Sequence, residues 1–394
     1  MLYREVPKIG DKLSVLGYGA MRLPTKMVGV DEEKAKQQMH SAIDRGVNYI
    51  DTAYPYHNGK SEEIVGRILA ENNYREKVKL ATKLPHWKTD SKEEMHKILD
   101  EQLEKLQTDY IDYYLVHNLN GDSWEKAKKN GVIEFLDEAL KSGKIINAGF
   151  SYHGVAEDFK QVIDDYDWIF CQIQYNFLDT DNQAGTVGMK YAAAKDIAVI
   201  VMEPLRGGNL AVEPPKEIKK LWSRSEVERR PVEWSLRWIL NHPEITLVLS
   251  GMNVDAHIDE NIRIASAAEP NSLTDKELEL VNQVADTYRE IMKVGCTSCQ
   301  YCMPCPAGVD IPSCFEKYNS YHMFNDKRAR LQYLGFNGGL FSSKISLASQ
   351  CVDCGQCVTK CPQNINIPEE LKGVEKDLEG ILGKPIIWIA KKIM

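Results

Sequence analysis

Four side chains that could carry out chemistry follow three short, strand-like stretches of the sequence. Asp51, Lys83 and His117 each come directly after such a stretch. Tyr56 follows five residues after Asp51. Parallel strands of one barrel end at a common mouth, so we expect the four side chains to meet there. A lone Lys or His at a strand end is more often an ordinary surface group, but four such residues in this order argue against that interpretation.

These residue types suit the reduction of a carbonyl group by hydride. The alkoxide that forms needs a proton, and a Tyr hydroxyl can donate it, although its ordinary pKa is about 10. The ammonium of Lys83 would lower that pKa by stabilising the tyrosinate, and Asp51 would hold the Lys in place. His117 would orient the carbonyl oxygen. We therefore expect Tyr56 to be the general acid of such a site.

Helices alternate with these stretches and would hold the strands in a sheet. Asp31 is a candidate N-cap for the helix before Asp51, Ser91 and Glu94 form a capping box, and a helix over 274–291 ends the alternation. This pattern predicts a parallel α/β barrel with right-handed crossovers. The eight expected strands lie at 13–21, 47–50, 78–82, 111–116, 145–150, 169–175, 198–202 and 246–250.

The segment from Gly46 to Tyr56, with Lys83 and His117 after it, resembles the aldo-keto reductase family over roughly residues 1–290. The resemblance implies a (β/α)8 TIM barrel with an Asp, Tyr, Lys, His tetrad, and all four positions hold the family's residue types. It also implies NADP or NAD as cofactor and a small carbonyl compound, or its alcohol, as substrate.

The same resemblance implies a set of cofactor-binding residues. Ser151 and Gln172 match positions that hold the nicotinamide carboxamide, and a Gly-x-Met stretch would lie beneath the ring. A turn after the seventh strand would hold phosphates, and two residues near the end of the barrel match adenine contacts. The implied residues are Gly19, Met21, Ser151, Gln172, Leu205, Gly207, Glu260 and Asn261.

Several positions depart from the family pattern. Tyr152 stands where Asn is frequent, and Met202 stands where an aromatic ring often stacks on the nicotinamide. The positions that commonly carry basic contacts to a 2′-phosphate correspond to Gly251 and His257. The choice between NADP and NAD therefore stays open, and a flavin is a third possibility.

Eight of the ten cysteines fall into two short runs, which points to metal ligation rather than to disulfides. The second run has the spacing Cys-x2-Cys-x2-Cys-x3-Cys-Pro, which bacterial ferredoxins use for a [4Fe–4S] cluster. The first run has two residues where the second has three. The runs are Cys296, Cys299, Cys302 and Cys305, then Cys351, Cys354, Cys357 and Cys361.

In two-cluster ferredoxins the fourth cysteine of each run ligates the other cluster. We therefore assign Cys361 to the cluster held by the first three cysteines of the first run, and Cys305 to the cluster held by those of the second. A pair of structural zinc sites is the alternative, but the Cys-Pro ends and the tight spacing favour iron–sulfur. Cys171 and Cys314 lie outside the runs and are expected to be packed thiols.

About 45 residues separate the runs, and 312–334 is predicted to be helical, so a mainly α-helical ferredoxin-like domain is expected. A subgroup of aldo-keto reductases with a C-terminal dicluster domain resembles the chain over nearly its whole length. We predict a barrel over 1–290, a dicluster domain over 291–370 and a tail over 371–394. The apolar end of the tail, 385–394, is expected to dock on the barrel rather than on a membrane.

The composition argues against nucleic-acid-binding, membrane-spanning and secreted proteins. With 49 Lys and Arg against 57 Asp and Glu, the net charge of −8 argues against nucleic acid as a partner. We find no stretch of eighteen apolar residues, so a membrane span is not expected. The first residues lack the apolar core of a signal peptide, which predicts a cytoplasmic location.

Hydride transfer moves two electrons together, whereas iron–sulfur clusters move one at a time, so three functions remain open. The first is a carbonyl reductase whose clusters are structural or regulatory. The second is an oxidoreductase supplied with electrons by a ferredoxin-type partner, with a flavin in the barrel. The third is a non-enzymatic electron carrier or redox sensor, against which the intact tetrad argues.

Overall fold

The computed structural model describes residues 1–324, 326–339 and 345–380. It divides into two compact units. The barrel unit comprises Met1–Leu205 and Val232–Leu278. The cysteine unit comprises Arg206–Pro231 and the chain from Glu279 onward. The predicted tail segment 385–394 lies outside the described residues.

Eight parallel strands close the barrel, which confirms the predicted α/β fold. A short antiparallel hairpin precedes them. Around the barrel the order is β10-β3-β4-β5-β6-β7-β8-β9, so strands adjacent in sequence are neighbours in space. The hairpin strands are β1 (Tyr3–Glu5) and β2 (Lys12–Ser14), and the barrel strands are β3 (Leu16–Gly19), β4 (Tyr49–Asp51), β5 (Lys79–Leu84), β6 (Ile111–Leu119), β7 (Ile145–Tyr152), β8 (Phe170–Gln174), β9 (Ala198–Met202) and β10 (Ile245–Ser250).

The first predicted strand, 13–21, is divided in the structure. Its beginning pairs in the hairpin, and the barrel strand β3 starts only at Leu16. Gly17 in β3 faces a crowded interior, where an added Cβ would lie 2.8 Å from Leu249 and 3.3 Å from Tyr49. A glycine is therefore needed at this position for the strands to approach, rather than for a turn.

Aromatic rings fill one end of the barrel. Tyr113 lies between Tyr49 and Phe170, with ring centroids 5.3 Å and 5.0 Å away and edge-on geometry. Val6 and Leu13, from the hairpin region, belong to the same buried cluster. The hairpin therefore closes the end of the barrel opposite to the strand termini that carry the tetrad.

The helices begin where their capping residues predict. Asp31 accepts a hydrogen bond from the Lys34 amide, and Ser91 accepts one from the Glu94 amide. Within the described residues, no helix is both long and apolar enough to cross a membrane. The helices are α1 (Glu32–Asp44), α2 (Ser61–Ala70), α3 (Lys92–Leu106), α4 (Gly121–Lys129), α5 (Val132–Lys141), α6 (Ala156–Asp164), α7 (Gly185–Ala193), α8 (Lys216–Trp222), α9 (Pro231–Leu240), α10 (Asp255–Ala265), α11 (Asp275–Ile291), α12 (Ile311–Met323), α13 (Lys327–Phe336) and α14 (Ile367–Val374).

The cysteine unit is mainly helical, as predicted, but the expected single helix over 312–334 is two helices. The first, α12, ends at Met323, and Asp326 caps α13 by accepting from the Arg328 amide. Phe315 and Tyr333, one from each helix, are buried in a shared core with Leu371 of α14. Six of the eight run cysteines pack against this core. The helices therefore form the support on which the cysteine loops rest.

Candidate functional site

The structure brings the four tetrad residues together. Asp51 ends β4, Lys83 lies in β5 and His117 in β6, and these strands are adjacent. Lys83 Nζ donates to both carboxylate oxygens of Asp51, at 2.6 and 2.7 Å, and to the Thr52 carbonyl at 2.9 Å. The ring of Tyr56 has its centroid 5.1 Å from Lys83 Nζ and 6.2 Å from that of His117.

Burial shifts the pKa values of Lys83 and His117. Lys83, Asp51 and His117 are 0%, 3% and 2% exposed. Burial lowers the pKa of Lys83, while the attraction of Asp51 opposes that change. Burial also lowers the pKa of His117 well below its usual value, and the nearby Lys83 cation acts in the same direction. His117 is therefore a neutral imidazole, which has one N–H to donate.

Two of the predicted cofactor residues adjoin the tetrad. Gln172 Nε2 donates to the Asp51 carboxylate at 3.0 Å, so the amide helps to fix the partner of Lys83. Ser151 Oγ accepts from the amide of Asn118 at 2.7 Å, directly after His117. Both side chains are almost fully buried.

The remaining predicted cofactor residues are spread over other strand ends. Gly19 ends β3 and Met21 lies in the turn that follows it. Asn261 in α10 donates to Ser250 Oγ at the end of β10, at 3.1 Å, and Glu260 is its neighbour in the helix. Leu205 follows β9 in the barrel unit, whereas Gly207 belongs to the cysteine unit.

A buried polar network behind Lys83 was not predicted from the sequence. Gln102 donates to the Lys83 carbonyl at 3.0 Å and to the Glu62 carboxylate at 2.6 Å. Glu62 also accepts from Thr82 at 2.6 Å, and Gln102 accepts from Tyr114 at 2.7 Å. These bonds join α2 and α3 to strands β5 and β6, and so fix the backbone that carries Lys83.

Two further histidines near His117 were also not predicted. Burial lowers the pKa of His86 and of His153 to about 4 each, so both imidazoles are neutral near pH 7. Of the nearby tryptophans, Trp87 is 43% exposed with its ring 5.3 Å from that of His117. Trp124 is 1% exposed and packs on Trp168 instead.

The neutral state of His86 predicts how stability depends on pH. Its pKa is about 4 in the folded chain and 6.5 ordinarily. Between these values the unfolded chain binds the extra proton, so stability present above pH 6.5 is lost as the pH falls. One pKa unit corresponds to about 1.4 kcal/mol. Denaturant titrations followed by tryptophan fluorescence should show a weaker pH dependence in His86→Gln, and an unchanged dependence would contradict this prediction.

Thiols of the two runs influence one another's pKa. Burial raises the pKa of Cys302 to about 12, and Cys299, Cys296 and Cys361 act in the same direction. Burial likewise raises the pKa of Cys357, and so do Cys351, Cys305 and Cys354. This pattern favours the predicted exchange of the fourth cysteines, which stays a prediction.

The two runs share one backbone pattern. The second and fourth residues after the first cysteine are left-handed in both runs. They are Ser298 (φ 55°) and Gln300 (φ 67°) in the first run, and Asp353 (φ 57°) and Gly355 (φ 70°) in the second. A repeated conformation of this kind indicates that both loops present their thiols in the same way.

The repetition continues beyond the fourth cysteine. The third residue after Cys305 and after Cys361 is again left-handed, namely Gly308 (φ 81°) and Asn364 (φ 53°). Helices α12 and α14 then begin, each with Ile-Pro in its first turn. The runs are thus two copies of one structural unit, and the second copy has an extra residue before its fourth cysteine.

The residue types of both groups are those that ligate iron–sulfur clusters. One cleft is lined by five thiols, namely Cys302 of the first group and the four assigned to the second group: Cys305, Cys351, Cys354 and Cys357. In the first group the amide of Ser298 donates to Cys296 Sγ at 3.4 Å, which is the N–H···S contact that stabilises cluster thiolates.

Comparisons with known proteins agree with the interpretation of both units. The model of the aldo/keto reductase family matches residues 15–286, and a 4Fe-4S dicluster domain matches residues 295–365. L-galactose dehydrogenase from Arabidopsis thaliana is 27% identical over 73% of this chain and 95% of the relative. Aldo-keto reductase YhdN from Bacillus subtilis is 36% identical over 40% of this chain and 49% of the relative.

Solved structures give the same result for the barrel. The holo form of the aldo-keto reductase AKR11C1 from Bacillus halodurans has a TM-score of 0.60 and 25% identity, and covers 72% of this chain and 96% of its own.

Proposed function

The chain belongs to the aldo-keto reductase family, and we propose that it reduces a small carbonyl compound, or oxidises the alcohol, with NADP or NAD. The observation that carries this proposal is the buried Lys83–Asp51 pair beside Tyr56 and the neutral His117. A surface Lys or His would show neither this burial nor this convergence.

A bound nicotinamide would supply the hydride. Tyr56 donates the proton to the developing alkoxide, and Lys83 stabilises the tyrosinate that remains. Asp51, held by Gln172, keeps the ammonium of Lys83 in place. The neutral His117 donates an N–H to the carbonyl oxygen and orients it.

The other predicted cofactor residues would hold the rest of the dinucleotide. Ser151 and Gln172 would bind the carboxamide, and Gly19 and Met21 would contact the nicotinamide ring. Leu205 and Gly207 would bind the phosphates. Glu260 and Asn261 would contact the adenine.

We extend the proposal to two [4Fe–4S] clusters, which carry single electrons to or from a ferredoxin-type partner. Cys296, Cys299, Cys302 and Cys361 hold the first cluster. Cys305, Cys351, Cys354 and Cys357 hold the second. The two copies of the run within the cysteine unit support this number, because each copy would supply three thiols to one cluster and one thiol to the other.

Isotope transfer tests the proposed reaction. The anaerobic protein is given an aldehyde panel with NADPH or NADH deuterated at the transferable C4 position. We expect deuterium on the carbinol carbon of the product, because the hydride passes directly from cofactor to substrate. Product that carries solvent hydrogen instead would show that the hydride does not pass directly from a nicotinamide to the substrate, and the proposal would then fail.

A further inference from the structure

We propose that Arg206 raises the reduction potential of the cluster held by Cys296, Cys299, Cys302 and Cys361, and so makes that centre the better electron acceptor. The inference rests on the proposed cluster assignment. It concerns a residue that lies outside both cysteine runs, in the segment 206–231 that the cysteine unit incorporates.

Arg206 is held firmly against the chain that leads into the first run. It is only 5% exposed. Its Nη2 donates to the Gly295 carbonyl at 3.0 Å, and its Nη1 contacts Met292 Sδ at 2.9 Å. From the same segment, Asn209 Nδ2 approaches the Cys296 carbonyl at 3.5 Å. The guanidinium is thus fixed within one residue of the first cysteine.

The backbone at Arg206 and the residue type at position 295 both allow this contact. Arg206 has a φ of 51°, a left-handed conformation that is uncommon for a residue other than glycine. On the other side, a Cβ added to Gly295 would lie 3.0 Å from Arg206 Nη2, so a side chain there would crowd the guanidinium. Both the left-handed backbone of Arg206 and the glycine at 295 are thus needed for this contact.

The charge of Arg206 lies beside the backbone that leads into the first group of thiols, because its Nη2 is held by the Gly295 carbonyl. A nearby cation favours added electrons, because reduction makes the centre one charge more negative. Since the arginine is buried, water screens this attraction little.

The step that Arg206 favours is the transfer of one electron to the centre of the first group. A one-electron donor, which is dithionite in the experiment below and a low-potential electron-transfer protein in the cell, loses one electron. The centre of the first group gains that electron, and no bond forms or breaks. Net charge, hydrogen bonds to the sulfurs and solvent exposure set the potential of such a centre, and Arg206 acts through the charge.

Redox titration of the full-length protein tests the proposal. Anaerobically prepared wild type and Arg206→Gln are titrated with dithionite, and the reduced centres are followed by electron paramagnetic resonance. We expect one midpoint potential to fall in the variant and the other to stay unchanged. At the wild-type midpoint, the ratio of reduced to oxidised centre should fall about tenfold, which corresponds to about 59 mV for one electron.

Two further variants separate charge from packing. Arg206→Lys keeps the positive charge and should stay close to the wild-type potential. Arg224→Gln removes an exposed arginine of the same unit, which hydrogen-bonds to Gln283, and should change neither potential. If Arg206→Gln loses iron, Arg206→Met replaces it as a neutral side chain of similar length.

Unchanged potentials in a neutral variant that keeps its iron would overturn the proposal. So would an equal fall in Arg206→Lys, because packing and not charge would then be responsible. Iron and sulfide are measured in every sample, so a wild type that lacks two four-iron signals would refute the cluster assignment instead.

Discussion

Replacing Tyr56 with Phe is expected to lower kcat for carbonyl reduction by about 10²–10⁴-fold, which is the usual contribution of a positioned general acid. The variant keeps the aromatic ring that Lys83 and His117 approach, and loses only the hydroxyl that donates the proton. Turnover is measured under saturating cofactor with the aldehyde that the wild type reduces best.

The control for this variant is Tyr54→Phe. Tyr54 lies two residues away, but the cations near its ring are Lys88 and Lys105 rather than Lys83. Its turnover should equal that of the wild type. Dinucleotide affinity, measured by fluorescence titration, should be unchanged in Tyr56→Phe, since the hydroxyl is not needed for binding. Normal activity in Tyr56→Phe would mean that the tetrad does not run the reaction.

The barrel and the tetrad were predictable because both follow from local patterns. An apolar run that ends in Asp51, Lys83 or His117 fixes a strand end, and the closed parallel barrel brings strand ends together. The network of Glu62 and Gln102 was not predictable in this way. Its two members lie forty residues apart on separate helices, and each reads as an ordinary polar position until the helices pack.

In the cysteine unit, some features could be predicted from the sequence and others could not. The assignment of each fourth cysteine to a group follows a general property of two-cluster ferredoxins, and it stays a prediction. The duplication was missed although its signal is present, since Cys-Pro is followed by Ile-Pro at the same distance in both copies. The buried Arg206 could not be predicted, because no pattern in the sequence relates position 206 to position 295.

Removing one shared cysteine is expected to damage one centre and spare the other. The wild type, prepared without oxygen, should hold about eight iron and eight sulfide per chain. Cys361→Ser removes a ligand from the group around Cys302, and Cys305→Ser removes one from the group around Cys357. Each variant should keep about four iron, measured by metal analysis.

The two variants also control each other, because they should lose different paramagnetic signals. Cys314→Ser is the neutral case, since that thiol is buried in the helical core and lies outside both groups. Its iron content should match the wild type. Loss of the same signal in Cys361→Ser and Cys305→Ser would contradict the exchange of fourth cysteines, and zinc in place of iron would overturn the cluster assignment. The barrel has its own core and should stay folded in Cys361→Ser, so its carbonyl reduction can be assayed. A normal rate in this variant would show that the first cluster is not on the catalytic path.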